Sequence, residues 1–310
     1  MSPSRHVRVI IDLNRLRQNA QAIARATGVA VIAIIKADAY GLGAERIATA
    51  LADVVDQFAV FSPDEAKAID LWNRTGKSAL AIGPPQWDDP AAYRAQHVRP
   101  AISTIEQARK LNSASPVLCV DTGQQRFACP IGQVESLLRE GGCEEAFTHA
   151  SRLEQVLLLR AAVDGRVSRR HAAGTSLLDQ PAAWLDAVRP GLALYRGVAR
   201  VTTRLIETHK STGPAGYGGF IAPFHGVILA GYSNGLRPGP CLVNGRLSRV
   251  IEVGMQSAFV ETAAHDRPGD EVILLGETIN ENQVAAEWNA GPHECLLRLA
   301  CAGLREYRDS

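Results

Sequence analysis

The chain has 310 residues, 46% hydrophobic and 21% charged, with 33 Lys and Arg against 32 Asp and Glu and a formal net charge of +1. That composition is ordinary for a soluble globular protein of one large or two ordinary domains, and nothing in its charge balance favours nucleic acid or an anionic membrane as partner. No stretch reaches the ~18 apolar residues of a membrane span, no apolar leader opens the chain, and the six cysteines include no C-x-x-C pair, so the expectation is a cytoplasmic protein with reduced thiols, no disulfide framework and no metal site.

Residues 9–13 read as a strand and 16–25 as an amphipathic helix. Val29 to Ile35 then gives seven consecutive apolar residues, mostly β-branched, which run straight into Lys36. A run that short and that rich in Val and Ile predicts a strand buried on both faces, the kind found in parallel sheets. Lys36 would stand at its carboxyl end, the edge where α/β sheets and barrels keep their chemistry. A lysine there can lose hydration, drop its pKa and act as an amine nucleophile. Alone, a strand-ending lysine more often simply points into water.

A helix follows over 44–54 and a strand over 57–62, and Ser62 with Pro63 gives an N-cap and a first helical position. Further strands are expected over 78–82, 98–102, 116–121, 145–149 and 169–175. About eight β/α units predict a (β/α)8 TIM-type barrel, with an open doubly wound sheet as the alternative because periodicity does not settle closure. Beyond Arg200 the texture changes to short β-like runs over 201–208, 224–229, 246–253, 258–262 and 271–275, broken at Asn234-Gly235, Asn244-Gly245 and Pro268-Gly269. The expected division is a barrel over 6–198 and a mostly β domain over 199–310.

The string Ile35-Lys36-Ala37-Asp38-Ala39-Tyr40-Gly41-Leu42-Gly43 resembles the lysine signature of the alanine racemase family, fold-type III pyridoxal-phosphate (PLP) enzymes. The resemblance spans nearly the whole chain and implies the same order of barrel and β domain. It makes Lys36 the cofactor lysine and Tyr40 a phosphate contact. Phe147-Thr148-His149-Ala150 is similar to the segment whose histidine, here His149, stacks on the pyridine ring. Gly174-Thr175-Ser176, with Gly191 and Leu192, is similar to the phosphate-binding turns, and Arg189-Pro190-Gly191 to the segment whose arginine faces the ring nitrogen. In Asp121-Thr122-Gly123-Gln124-Gln125-Arg126 the resemblance gives Arg126 the substrate carboxylate. Gly216-Tyr217-Gly218-Gly219 supplies Tyr217 as a second base opposite Lys36, and Val253-Gly254-Met255-Gln256 brings the Met255 amide to the carboxylate. A homodimer with shared active sites is also implied. Taken singly, each has an ordinary explanation: a paired surface arginine, an exposed histidine, a tyrosine packed under turn glycines.

The chemistry gives these residue types a reason. A guanidinium stays charged and only donates, so Arg189 would leave the ring nitrogen unprotonated. A weaker electron sink favours return of the proton to Cα, hence racemisation over transamination. Lys36 can return a proton only to its own side, so a second base is required opposite. A tyrosine with a reference pKa near ~10 needs tuning for that task. A fork of fixed donors on Arg126 suits a carboxylate.

The sequence also departs from the family pattern. Leu42 stands where histidine is usual, Gly174 and Thr175 where asparagine and serine are, and Gln256 where aspartate is. Cys119 replaces a lysine that many members carbamylate to hold the arginine, and Cys301 a tyrosine that gates the entrance. The chain is also shortened between His149 and Thr175 and between Tyr217 and Phe224. The expectation is PLP-dependent racemisation of a free amino acid, alanine first and a wider range second. The competing readings are a PLP-binding protein of this fold with little turnover, or another fold-type III reaction. Arg189 speaks against the decarboxylases, which place a glutamate at the ring nitrogen, and His293 with Cys295 is too little for the metal-assisted branches.

Overall fold

The structure, a computed structural model, describes residues 3–309. They fall into two units, one made of Leu16–Ala39 and Gly43–Leu194 and the other of the remaining described residues. The first strand, β1 (Ser4–Asp12), belongs to the second unit and not to the barrel where the sequence places 9–13.

In the first unit eight parallel strands close on themselves in chain order: β2 (Ala30–Ile34), β3 (Gln57–Val60), β4 (Ala79–Ala81), β5 (Val98–Ile102), β6 (Val117–Cys119), β7 (Glu145–Ala150), β8 (Arg169–Ala173) and β9 (Ala187–Val188). Closure through β2 and β9 rules out the open doubly wound sheet. The expected count of eight therefore stands with a different membership. In β1 burial alternates only over its first half, with His6 and Arg8 exposed on either side of buried Val7, before Val9, Ile10 and Ile11 are all buried. Such alternation marks a sheet with one solvated face, whereas β2 is apolar throughout. The missing barrel strand is β9, two residues long and too short to leave a periodic pattern.

Near the amino ends of its strands the barrel holds a charged cluster. Glu145 is 3% exposed and His171 0%, and the imidazole Nε2 lies 2.8 Å from a Glu145 oxygen while the Arg99 guanidinium donates to the other. Arg169 reaches Gln57 Oε1 at 3.4 Å. Burial pushes His171 down to about 4, so its ring is neutral in the folded protein. Burial alone would raise Glu145, but the hydrogen bond from His171 and the Arg99 guanidinium outweigh it and hold the carboxyl at about 2. Both folded values lie below the ordinary 6.5 and 4.5, so the unfolded chain binds more protons in acid. Stability is full above the ordinary histidine value and falls as pH drops through the His171 window, then through that of Glu145. Urea unfolding is expected to show a loss of about 3 kcal/mol from His171 between neutral pH and pH ~4. His171→Gln should remove most of it, and an unchanged pH profile in that variant would count against the assignment.

The second unit is an eight-stranded sheet of β1 with β10 (Ala199–Lys210), β11 (Phe224–Ile228), β12 (Gly239–Val243), β13 (Arg246–Val253), β14 (Ala258–Glu261), β15 (Glu271–Leu275) and β16 (Gly303–Arg308). Its order is β11-β14-β13-β12-β15-β10-β1-β16, antiparallel except for β1 with β16. The expected turn at Asn244-Gly245 joins β12 to β13 with φ of 49° and 76°, the two positive values of a two-residue hairpin. Five of these strands match the runs expected from sequence. Helices Glu281–Trp288 and Pro292–Ala300, which the β-like reading did not anticipate, complete the unit.

Candidate active site

β2 ends at Ile34, and the chain turns at once into an unusual conformation. Ala37, Asp38, Ala39 and Tyr40 all have left-handed φ, between 52° and 58°. For residues with a Cβ this costs on the order of 1–2 kcal/mol each, so the surroundings must hold the turn in place, as happens at functional sites. Asp38 Oδ1 accepts the Ala44 amide at 2.7 Å and the Asp38 carbonyl accepts the Gly43 amide at 2.9 Å. Glu65 bridges the neighbouring strand end, accepting the Ala37 amide at 2.9 Å and the Phe61 amide at 2.6 Å. Lys36, half-buried in this frame, has its pKa lowered, first by burial and then by the Arg126 and Arg189 guanidiniums, with Glu65 opposing. A larger share of neutral amine results.

Arg189 directly follows β9 and is 4% exposed. Its Nη2 donates to the Thr148 carbonyl and, at 3.3 Å, to that of Ala172, and the guanidinium lies 4.7 Å over the Phe147 ring. Burial pulls its pKa down to about 10, which leaves it charged at neutral pH. Its Nε is buried with no acceptor among the described residues. Beside it, Thr175 Oγ1 accepts the amides of Gly191 at 3.3 Å and Ala193 at 3.1 Å, with Leu192 buried between them. His149 is exposed at the carboxyl end of β7.

Arg126 is exposed on the loop after β6. Asp121 shapes that loop by accepting the Gly123 and Gln125 amides at 2.8 and 3.0 Å, bonds that also lower its pKa. Burial pushes the Cys119 thiol up to about 12, so it carries no charge to hold an arginine. Arg126 leans instead on its neighbour, 5.7 Å from the Phe127 ring centre.

The other candidates lie in the second unit. Tyr40 packs against Tyr195 and His293, with ring centres 4.9 and 5.8 Å away, and burial raises its phenol to about 12. Tyr217 is 94% exposed, and Glu252 clamps its backbone by accepting the Tyr217 and Gly218 amides at 2.7 Å each. Its ring lies beside Gly254, next to the exposed Met255.

A second phenol, Tyr232 on the connection between β11 and β12, also meets the Met255 loop, one that sequence reasoning passed over as part of a strand and turn. The Tyr232 amide donates to the Gly254 carbonyl at 2.9 Å and Ser233 to that of Met255 at 3.0 Å. A Cβ on Gly231 would lie 2.3 Å from the Met255 carbonyl oxygen, so only glycine allows this approach. The signal available in the sequence was a glycine-tyrosine pair at a turn just upstream of the Met255 segment.

A family model described as alanine racemase, N-terminal domain, matches residues 11–198. The chain belongs to the alanine racemase family. It is 30% identical to the alanine racemase of Neisseria meningitidis serogroup A, over 95% of this chain and 97% of that one. It is 28% identical to the biosynthetic alanine racemase of Escherichia coli, over 97% and 99%. Among solved structures, the biosynthetic alanine racemase of Pseudomonas aeruginosa superposes with a TM-score of 0.87 at 23% identity, covering 98% of this chain and 100% of that one. The alanine racemase of Bartonella henselae, solved with covalently bound pyridoxal phosphate, gives 0.87 at 20% identity over 98% and 100%.

As a member of the alanine racemase family the chain sorts its expected residues into two sets. The barrel carries Lys36, Arg126, His149, Thr175, Arg189, Gly191 and Leu192 on or just beyond the carboxyl ends of its strands, the edge where such barrels work. The other unit carries Tyr40, Tyr217 and Met255. Among the described residues no group of three His, Cys, Asp or Glu side chains could hold a metal, and no helix is long and apolar enough to cross a membrane.

Proposed function

We propose that this protein racemises a free amino acid with pyridoxal phosphate as its cofactor, using Lys36 on one face of the substrate Cα and a tyrosine phenol on the other. The observation that carries the reading is the pairing of Lys36, its pKa lowered at the barrel mouth, with a buried Arg189 whose Nε donor has no acceptor among the described residues. A buried donor left unpaired is costly, and a pyridine nitrogen is the acceptor it lacks. The Thr175 hydroxyl, whose oxygen accepts the Gly191 and Ala193 amides and whose hydrogen is left to donate, suits the phosphate. The residues therefore fit the group.

When bound, pyridoxal phosphate supplies an aldehyde that joins to amines and a conjugated ring that draws electrons from Cα. Lys36 holds the cofactor and moves the Cα proton on its own side. Arg189 would hydrogen-bond the ring nitrogen through its Nε and, being unable to give up its own proton near neutral pH, would keep that nitrogen unprotonated. Arg126 binds the substrate carboxylate, aided by the Met255 amide. His149, exposed at the end of β7, would cover the ring.

Tyr217 is the opposite base expected from the motif. A specific observation favours Tyr232 as a second reading: its turn is bonded directly to the Met255 loop through two backbone hydrogen bonds. Both phenols adjoin the Gly254-Met255 loop, and they and Met255 are exposed. A second copy of the chain covering them would make a homodimer with shared sites. The test is a panel of enantiopure amino acids incubated with PLP-loaded protein and read by chiral chromatography. Inversion of at least one is expected; cofactor binding with no inversion of any would leave a carrier without turnover.

A further inference from the structure

The barrel mouth holds two aromatic rings that neither the fold nor the chemistry above uses. In parallel strands, register partners point to the same face, and β2 pairs with β3 as Ile32 with Gln57 and Ile34 with Ala59. Gln57 faces the barrel interior, where Arg169 bonds it. Continued two residues past the last pair, that register aligns Phe61 with Lys36 on the interior side, and Glu65 ties the Phe61 amide to that of Ala37. The Phe61 ring is seated over Gly83, where a Cβ would come within 3.1 Å of its Cζ and 2.6 Å of the Phe61 carbonyl oxygen. From the Arg126 loop Phe127 meets it edge-on, with ring centres 6.4 Å apart. Both rings keep a large apolar surface open, 38% and 45% exposed. Substrate-sized apolar surface held at a barrel mouth is a candidate binding wall.

We propose that Phe61 and Phe127 form a side-chain subsite for substrates whose apolar side chain, aliphatic or aromatic, is larger than a methyl group. The proposal rests on the racemase reading. Its geometry joins the two recognition elements: the Arg126 guanidinium that takes the carboxylate lies against the Phe127 ring, and the amine nucleophile stands next to Phe61. A methyl group is too small to cover two rings. A branched or aromatic side chain removes both from water, and each added methylene is favourable on transfer from water to an apolar wall.

The test uses carboxylates without an amino group, which bind and cannot react. Propionate, 4-methylpentanoate and 3-phenylpropionate are titrated into PLP-loaded protein by calorimetry, and the quantity read is affinity relative to propionate. The two larger acids are expected to bind about tenfold or more tighter than propionate. In Phe61→Ala and in Phe127→Ala the ratio should fall toward one, while Phe61→Leu, which keeps an apolar side chain, should retain most of it. Equal binding of all three acids by the wild type, or an undiminished ratio in both alanine variants, overturns the subsite. Should the acids order by size while no amino acid is inverted, the racemase reading fails and the subsite stands.

Discussion

Lys36→Ala protein mixed with pyridoxal phosphate should show no absorption band of covalently held cofactor near the visible edge. After borohydride treatment it should carry no added mass on the peptide containing residue 36, and it should exchange the Cα hydrogen of amino acids at least about 10³-fold more slowly than wild type. The argument is one of position and charge. Lys36 is half-buried at a strand end, its amine drawn toward neutrality by desolvation and by Arg126 and Arg189, and the turn that follows is left-handed at four consecutive residues. Strain of that kind lasts only where neighbours over-determine it, and Glu65 and Asp38 do so here. Lys36→Arg separates charge from nucleophilicity: it keeps a cation near the same place and cannot form the covalent link. Retention of the band in either variant would put the cofactor on another amine and remove the basis for the reading.

How much of this was legible in the sequence depends on the range over which each signal acts. The buried strand before Lys36 announced itself because a doubly covered parallel strand is apolar at every position. The pair Ser62-Pro63 marked its helix because capping is local, and Ser62 does accept the Glu65 amide. β1 was misassigned for the opposite reason: its partners are β10 and β16, about two hundred and three hundred residues away, and no local pattern names a distant partner. β9 was missed because two residues carry no period. At the site, the motif residues of the barrel could be named by resemblance alone, and they stand on or just beyond the carboxyl ends of strands. The unpaired Arg189 Nε, the neutral Cys119 beside Arg189, the seating of Arg126 on Phe127 and the contact of Tyr232 with the Met255 loop were not. All but the Arg126–Phe127 contact, which joins chain neighbours on a loop shaped by Asp121, are set by packing between segments far apart in the chain.

Of the two tyrosines near Met255, Tyr232→Phe is expected to cause the larger loss, about 10² to 10⁴-fold in racemisation, the usual worth of a positioned acid or base. The loss should be lopsided, abolishing solvent deuterium exchange into one enantiomer while Lys36 still serves the other. Tyr217→Phe should lose about tenfold or less. The reason is rigidity: a catalytic group must be held within about 0.5 Å of its working position. The Tyr232 turn is pinned by two backbone bonds to Gly254 and Met255 and by the buried Asn234, whose Oδ1 accepts the Gly231 amide at 3.0 Å. Tyr217 is likewise tied through its backbone, by Glu252, but its ring is 94% exposed against 55% for Tyr232. The reverse outcome would restore Tyr217, the motif's own candidate, to the role. Mixing subunits then tests whether sites are shared: a Lys36→Ala chain and a tyrosine variant, each inactive alone, would together rebuild intact sites in mixed dimers, at about a quarter of the wild-type number after random exchange. No recovery would mean that lysine and phenol come from the same chain, because only a phenol donated across the dimer can complement a lysine it is not linked to.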